Sequence, residues 1–414
     1  MSYGVFQEYY SESRFLKGNP SLTGIVGTTF NGVIYISMPF LFAAFTQRWA
    51  RFRRLVSLCG VALTALSYLL SSWSTNVSHV VVTQGVLASL GGTLIYSPTT
   101  LSLGEWWETS NRAVAYGIVL SSKNVTGSVC PFILRALLDR YGFGLTMRIW
   151  AAIVAGCSLA AIFLIPTQHH PFSIAPSERR SRQTPWHFLK HRAFYIWSVA
   201  ILLQSVGYGI PQTYLTTYAR SSASLSQTSA TLLLTFFNLP GILSSSFFGY
   251  LSDNKHHPFT ATTTTLISAL SSTLSVFLLW GLASPASGSR SSMPLLTLFA
   301  IIFGFFAGGY SATWGGIVNE MEREARDRNE AIDSGVLYGL LNGARGLGYV
   351  SGGLASVPLL KAGSKGTVGG FAYETEYMPL IVFTGLSSLF GAWSVLWKGR
   401  KLLGRHVLSG NCCV

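Results

Sequence analysis

Charge is what this chain has least of. Only 11% of its 414 residues are Asp, Glu, Lys or Arg, where a soluble domain carries about 25%. Cysteine is sparse too. Five residues give no disulfide framework; Cys59, Cys130 and Cys157 fall inside apolar runs and read as small packing residues. Cys412 and Cys413 follow a basic segment at the C-terminus, where palmitoylation competes with the plainer reading of unmodified thiols; neither stands four from the end, so there is no prenylation box. The only histidine pairs, His169-His170 and His256-His257, lack the further spaced histidines that a di-metal desaturase or acyltransferase site requires. No Gly-x-x-x-x-Gly-Lys-Ser/Thr loop occurs, which argues against an ATP-driven pump. Met1–Tyr10 has neither a basic start nor a small-residue cleavage site, so no cleavable leader is expected and insertion would rest on the apolar runs themselves.

Those runs are the dominant feature. Half of the chain (49%) is hydrophobic, 13% is aromatic and mean hydropathy is +0.40. Eleven stretches of about twenty residues are expected to span a membrane, near 22–45, 55–73, 78–98, 113–136, 146–166, 195–217, 229–250, 260–283, 294–317, 335–358 and 377–397. They are continuous rather than alternating, so they predict helices and not a β-barrel. The segment 167–194 is polar, basic and Pro-bearing, and it divides the runs into five before and six after. This predicts an N-terminal half-bundle over 1–166, a linker over 167–194, a C-terminal half-bundle over 195–397 and a tail over 398–414.

Net charge is +14, and its distribution matters more than its size. Eighteen Lys and Arg residues fall in one set of alternate loops and nine in the other. The bias puts the linker and the tail on the cytosolic side and makes anionic lipid, rather than nucleic acid, the expected partner of the basic loops. Asn76-Val77-Ser78 is a glycosylation sequon at an outer loop, which marks Asn76 as a candidate acceptor. Asn124-Val125-Thr126 has the same pattern but lies inside a span.

Two loops resemble each other and a known signature. Gly249-Tyr250-Leu251-Ser252-Asp253-Asn254-Lys255 follows one span, and Ala43 to Arg54, with Arg48, Arg51, Arg53 and Arg54, follows the corresponding span of the first half. Both are similar to the Gly-x-x-x-Asp-Arg-x-Gly-Arg-Arg loop of the major facilitator superfamily, with Ala43 in place of the glycine and Gln47 in place of the acid in the first copy, and no arginine run in the second. The resemblance implies a gating loop in which Asp253, Arg48 and Arg51 take part. A more specific likeness covers 111–150: Arg112, Ala115, Gly117, Ile118, Gly127, Pro131, then Gly142, Phe143, Gly144, Thr146 and Arg148 match a pattern of fungal monocarboxylate-transporter-like proteins. Asn342 to Gly348, ending near Ser351-Gly352, is similar to that family's eleventh span, and Tyr3-Gly4-Val5-Phe6 to the end of its first. The resemblance implies an all-α integral membrane protein with the major facilitator fold, two six-helix bundles with the first helix truncated and eleven full spans. Animal members carry an Asp-Arg pair in the eighth span and a Lys in the first; span 229–250 has neither charge, so lactate-type proton symport does not carry over.

Two cations stand inside spans, at corresponding places in the two halves: Lys123 in 113–136 and Arg345 in 335–358. A cation at bilayer depth faces a cavity or a partner, and the neighbouring spans hold almost no acid. Both are expected to attract an anionic substrate, against the alternative that each bonds helix-end carbonyls or snorkels. Lys123 replaces a residue that is usually small in the family. Asn124 beside it, and Asn342 and Tyr338 on the face of Arg345, complete the candidate substrate-binding set. Gln84, Gln204, Tyr208, Asn238, Tyr310 and Trp314 read instead as interhelical hydrogen-bonding groups.

The function expected is therefore a secondary transporter, not an enzyme, moving a small organic anion by alternating access: a monocarboxylate or a larger carboxylated metabolite, with export of a fungal secondary metabolite favoured. A nutrient sensor on the same scaffold and an intramembrane enzyme are the alternatives. No cofactor or metal is implied, proton coupling is unassigned, and a monomer in the plasma membrane is expected, with lipid as its other partner.

Overall fold

The computed structural model describes residues 3–13, 16–17, 22–46, 49–106, 112–165, 186–253, 260–283, 292–330, 332–363, 371–395 and 397. In hydrocarbon, peptide groups must pair within their own segment, and the apolar runs do so as helices. Among the described residues no strand forms; the single β-bridge joins Lys17 and Asn76.

The N-terminal helices are α1 (Tyr3–Ser13), α2 (Ile25–Thr46) and α3 (Arg53–Ser71), then α4 (Val77–Val80), which continues through a π-helical turn at Val81–Leu87 into α5 (Ala88–Trp106), and α6 (Arg112–Leu164). The C-terminal helices are α7 (Arg192–Ser221), α8 (Gln227–Asp253), α9 (Ala261–Leu274) with a π-helical turn at Ser275–Trp280, α10 (Ser292–Gly309) leading through Tyr310–Thr313 into α11 (Trp314–Asp327), α12 (Ser334–Gly363) and α13 (Met378–Phe390). Among the described residues, eight helices are long and apolar enough to cross a membrane, with Val114–Leu164 counted once. The glycine-rich α12, which carries Arg345, is not among them, and α13 is a shorter apolar helix.

Boundaries depart from the hydropathy reading where hydropathy is blind to helix propensity. A loop was expected between 136 and 146; instead the helix runs on and breaks at Gly142 alone, with φ 69° and ψ 179°, a conformation open to glycine and strained for other residues. The run 294–317 was expected to end as its apolar residues do. The chain stays helical to Asp327 through EMEREARD, rich in good helix formers. There Arg328 Nη2 lies 2.7 Å from Glu324 Oε1 and Arg326 Nη2 3.9 Å from Glu322 Oε2, each one turn apart. The small-residue reading of the cysteines also needs correcting: Cys59 and Cys157 are exposed on the bundle surface, facing away from the core.

Helices from the two parts of the chain pack lengthwise as α2 on α12 and α6 on α8. Glycine makes these approaches possible. A Cβ on Gly117 would stand 2.6 Å from the carbonyl oxygen of Ser245, and one on Gly343 would stand 2.8 Å from Cγ of Pro39. Small residues at a crossing let backbones meet and their contacts shift without large side chains locking them. α1 joins α7 through the hydroxyl of Thr216, which donates to the carbonyl of Gly4 at 3.0 Å. Below, the end of the bundle where α7 begins is the connector end, and the end where α7 stops is the distal end.

Candidate functional site: a caged arginine at the centre

Arg345 lies in the middle of α12 and is 5% exposed. Its guanidinium carbon sits over four aromatic rings: Tyr35 of α2 at 4.8 Å, Trp314 of α11 at 5.3 Å, Tyr349 of its own helix at 5.5 Å and Tyr208 of α7 at 5.7 Å. Each ring face is negative and attracts the cation, about 0.5–2 kcal/mol apiece depending on desolvation. Hydrogen bonding is poor by comparison. Nη2 donates to the Tyr349 hydroxyl at 3.4 Å, and Nε has no acceptor. The rings hold each other. Tyr35 stacks on Tyr349 (5.9 Å, 21°) across α2 and α12, and Tyr116 of α6 stacks on Tyr338 of α12 (5.1 Å, 22°), whose edge meets Trp314 at 6.2 Å. Two of these pairs therefore join the N-terminal helices to the C-terminal ones.

Lys123, on α6, faces the same centre. Its Nζ is buried without a hydrogen-bond partner, seven residues past the Tyr116 ring that stacks on Tyr338. Among the described residues no carboxylate pairs with either cation. Of the other expected site residues, Tyr338 is 7% exposed and belongs to the stacked pair, in the cluster around Trp314. Asn342 is 3% exposed but spends a donor on its own helix, Nδ2 to the carbonyl of Tyr338 at 2.8 Å. Asn124 is 2% exposed and turns to α8, its amide against Gly241 and its Nδ2 without an acceptor. The acceptor asparagine of that sequon thus points into the bundle, while Val125 and Thr126 are exposed.

Gln84, Asn238 and Tyr310 do form interhelical bonds. Gln84, in the first π-helical turn, accepts from Tyr10 at 3.0 Å and donates to Ser71 at 2.6 Å; Asn238 donates to Gly127 O at 3.3 Å; Tyr310 donates to Gly391 O at 2.9 Å. Tyr208 and Trp314 part company with that group, because their rings belong to the cage of Arg345. Tyr35, Tyr96, Tyr116 and Tyr349 were missed altogether. Only Tyr349 had a local signal, four residues after Arg345 and so on its face.

The expected gating loop is partly on view. Arg48 lies outside the described residues, as does the side chain of Asp253, whose backbone closes α8. Arg51 is exposed with its guanidinium 4.7 Å over the ring of Phe52. The neighbouring Arg53 is the buried one, 9% exposed, donating from Nε (3.2 Å) and Nη2 (2.9 Å) to the carbonyl of Phe45 near the end of α2. Elsewhere at the connector end, His191 Nε2 meets Glu330 Oε2 at 2.6 Å, and Arg328 reaches the other ring nitrogen of His191. Asn76 caps α4 beside the bridge to Lys17 and is half-buried.

At the distal end a second charged cluster forms. Glu8 of α1 is 1% exposed. Its Oε1 accepts from Arg135 Nη2 of α6 at 2.8 Å and lies 3.5 Å from Arg220 Nε of α7. Arg135 also approaches Asp139 at 3.7 Å, and the amide of Gln227 at the start of α8 lies against it.

Comparison with known proteins gives this architecture its place. The family description Major Facilitator Superfamily matches residues 3–353. An MFS-type transporter of Gibberella moniliformis is 26% identical over 310 residues, covering 75% of this chain and 70% of its own. Monocarboxylate transporter 12 of Homo sapiens is 25% identical over 283 residues, 61% of this chain; the match spans only about half (52%) of the human protein. The crystal structure of the human organic anion transporter MFSD10 superposes with a TM-score of 0.61 at 12% identity, covering 94% of this chain and 89% of that one, a likeness of fold. With that family match running over most of its length and the helical bundle superposing on a solved transporter, the chain belongs to the major facilitator superfamily.

Proposed function

We propose that this protein is a carrier, not an enzyme, that moves a small organic anion across the membrane by alternating access. The observation that carries the reading is Arg345: a buried guanidinium surrounded by rings, with no carboxylate paired to it among the described residues. A buried unpaired cation costs several kcal/mol, and ring faces recover part of that. An arriving carboxylate supplies the remaining counter-charge and a bidentate match to the guanidinium. Lys123 adds a second positive group from the other part of the chain. Tyr338 forms the wall with Tyr116. Asn124 and Asn342 support that wall, Asn342 through its own helix.

In this reading, 1–166 and 195–397 are half-bundles that rock about the glycine-lined contacts of α2 with α12 and α6 with α8. The linker 167–194 and the tail 398–414 lie in the cytosol, and the loops holding Asp253, Arg48 and Arg51 latch one state. The protein works as a monomer in the plasma membrane, carries glycan at Asn76 and exports a carboxylated metabolite. A relative named monocarboxylate transporter 12 supports a small carboxylate as cargo.

The test is uptake and efflux of labelled carboxylates in cells expressing the chain, beside Arg345→Ala and Lys123→Ser. Arg345→Ala is expected to abolish flux at unchanged surface abundance. Undiminished flux in that variant would remove the anion site from the centre.

A further inference from the structure

We propose that the cargo is a dianion with a flat, unsaturated body, one anionic group meeting Lys123 and the other meeting Arg345; this rests on the anion-carrier reading above and names its substrate class. Three observations lead there. First, three donors at this centre, Lys123 Nζ, Arg345 Nε and Trp314 Nε1, are buried without partners. A complementary ligand brings acceptors. A polyamine or an amino acid would present an ammonium to a site where, among the described residues, no carboxylate pairs with either cation.

Second, the two basic side chains come from opposite parts of the chain, α6 and α12, each seven residues past a ring of the stacked Tyr116–Tyr338 pair. A monoanion can neutralise one and leaves the other uncompensated in a low-dielectric interior. A ligand with an anionic group at each end neutralises both. It also bridges the N-terminal and C-terminal helices, so its binding favours the state in which they close on it.

Third, the walls between are aromatic faces. Tyr35, Tyr96 and Tyr116 on the N-terminal side remain half-buried, whereas Tyr349, Tyr338, Trp314 and Tyr208 opposite them are buried. The Tyr116–Tyr338 and Tyr35–Tyr349 pairs are stacked at 22° and 21° across the two parts. Rings that part when the halves move apart offer two π faces to a planar body, and such a body keeps the favourable stacking geometry that the rings give up.

The experiment is isothermal titration calorimetry of the full-length protein in lipid nanodiscs with terephthalate, its monomethyl ester and its dimethyl ester, repeated with fumarate and monomethyl fumarate. At least one diacid is expected to bind tenfold or more tightly than its own monoester, with the diester silent. Lys123→Met is expected to erase that ratio by weakening the diacid, and Lys123→Gln serves where the methionine variant does not fold. Arg345→Met is expected to weaken both acids. Diacid and monoester binding equally to the wild type would overturn the dianion while sparing the anion site. Binding of neither acid would remove the anion site itself, and the inference with it.

Discussion

The distal end and the centre of this bundle meet the same problem in opposite ways. At the distal end Arg135 and Arg220 converge on Glu8, a carboxylate 1% exposed that takes contacts from both. At the centre Arg345 is surrounded by rings, and Lys123 Nζ is buried without a hydrogen-bond partner. Desolvation penalises every one of these cations. The distal pair is compensated by the protein's own charge, so α1, α6 and α7 are tied whether or not anything is bound. The central pair has no carboxylate partner among the described residues, and in the proposed reading an anionic cargo supplies one.

The sharpest way to break this contrast is at Glu8. Glu8→Gln keeps the shape but removes the carboxylate that Arg135 and Arg220 share, leaving Arg135 only the exposed Asp139. Breaking a buried pair costs about 3–5 kcal/mol, and the lower end applies because the Arg220 side chain is 35% exposed. A large fall in melting temperature of the purified protein is expected, partly reversed in Glu8→Gln/Arg135→Met. The order of anion preference in transport should not change, because the central cations are untouched. A variant as stable as the wild type would mean that the distal cluster ties nothing.

Next comes the seam between the two parts. Gly117→Ala drives a methyl to within 2.6 Å of Ser245 O, backbone that cannot rotate away. Overpacking of this kind costs about 1–3 kcal/mol. Transport rate is expected to drop more than binding of the anion, because the α6–α8 contact must slide. Equal losses in both would place the effect in the site.

Lys123→Met should have the opposite sign to Glu8→Gln. Removing an uncompensated buried cation is expected to raise the melting temperature of the empty protein, by about 1 kcal/mol or more in stability, while transport falls. Stabilisation and loss of function in one variant mark a group kept for the ligand. A Lys123→Met protein that melts lower would show that the ammonium has a structural partner.

The fold was largely open to reading, and the site only by half. Lys123 and Arg345 stand out because a charge in an apolar run of about twenty residues is costly and needs a partner, a cavity or a route to the surface. Their cage does not stand out. Its rings sit on α2, α6, α7, α11 and α12, far apart in sequence, and a tyrosine in an apolar run looks the same whether it faces lipid, a neighbour or a guanidinium. Glu8 carries no local sign of its role. Its partner Arg135 lies 127 positions away, a separation no local pattern reports. α11 outran its apolar run because helix propensity and one-turn charge pairs persist after hydropathy fails.

The smallest expected effect separates two neighbours in the loop after α2. Arg51 and Arg53 stand in the same arginine-rich loop, and the likeness to the signature assigns the gating role to Arg51. Arg51 lies exposed over Phe52, a contact worth about 0.5–1 kcal/mol at an exposed site. Arg53 is buried and its two donors close the carbonyl of Phe45; bonds from a charged group are worth about 1.5–3 kcal/mol. Arg51→Ala is therefore expected to leave the melting temperature within experimental scatter, and Arg53→Ala to lower it measurably. If transport in Arg51→Ala still slows while its stability holds, Arg51 acts on the moving state, as a gating residue should. If both stability and transport are unchanged, the gating role in this loop passes from Arg51 to its buried neighbour.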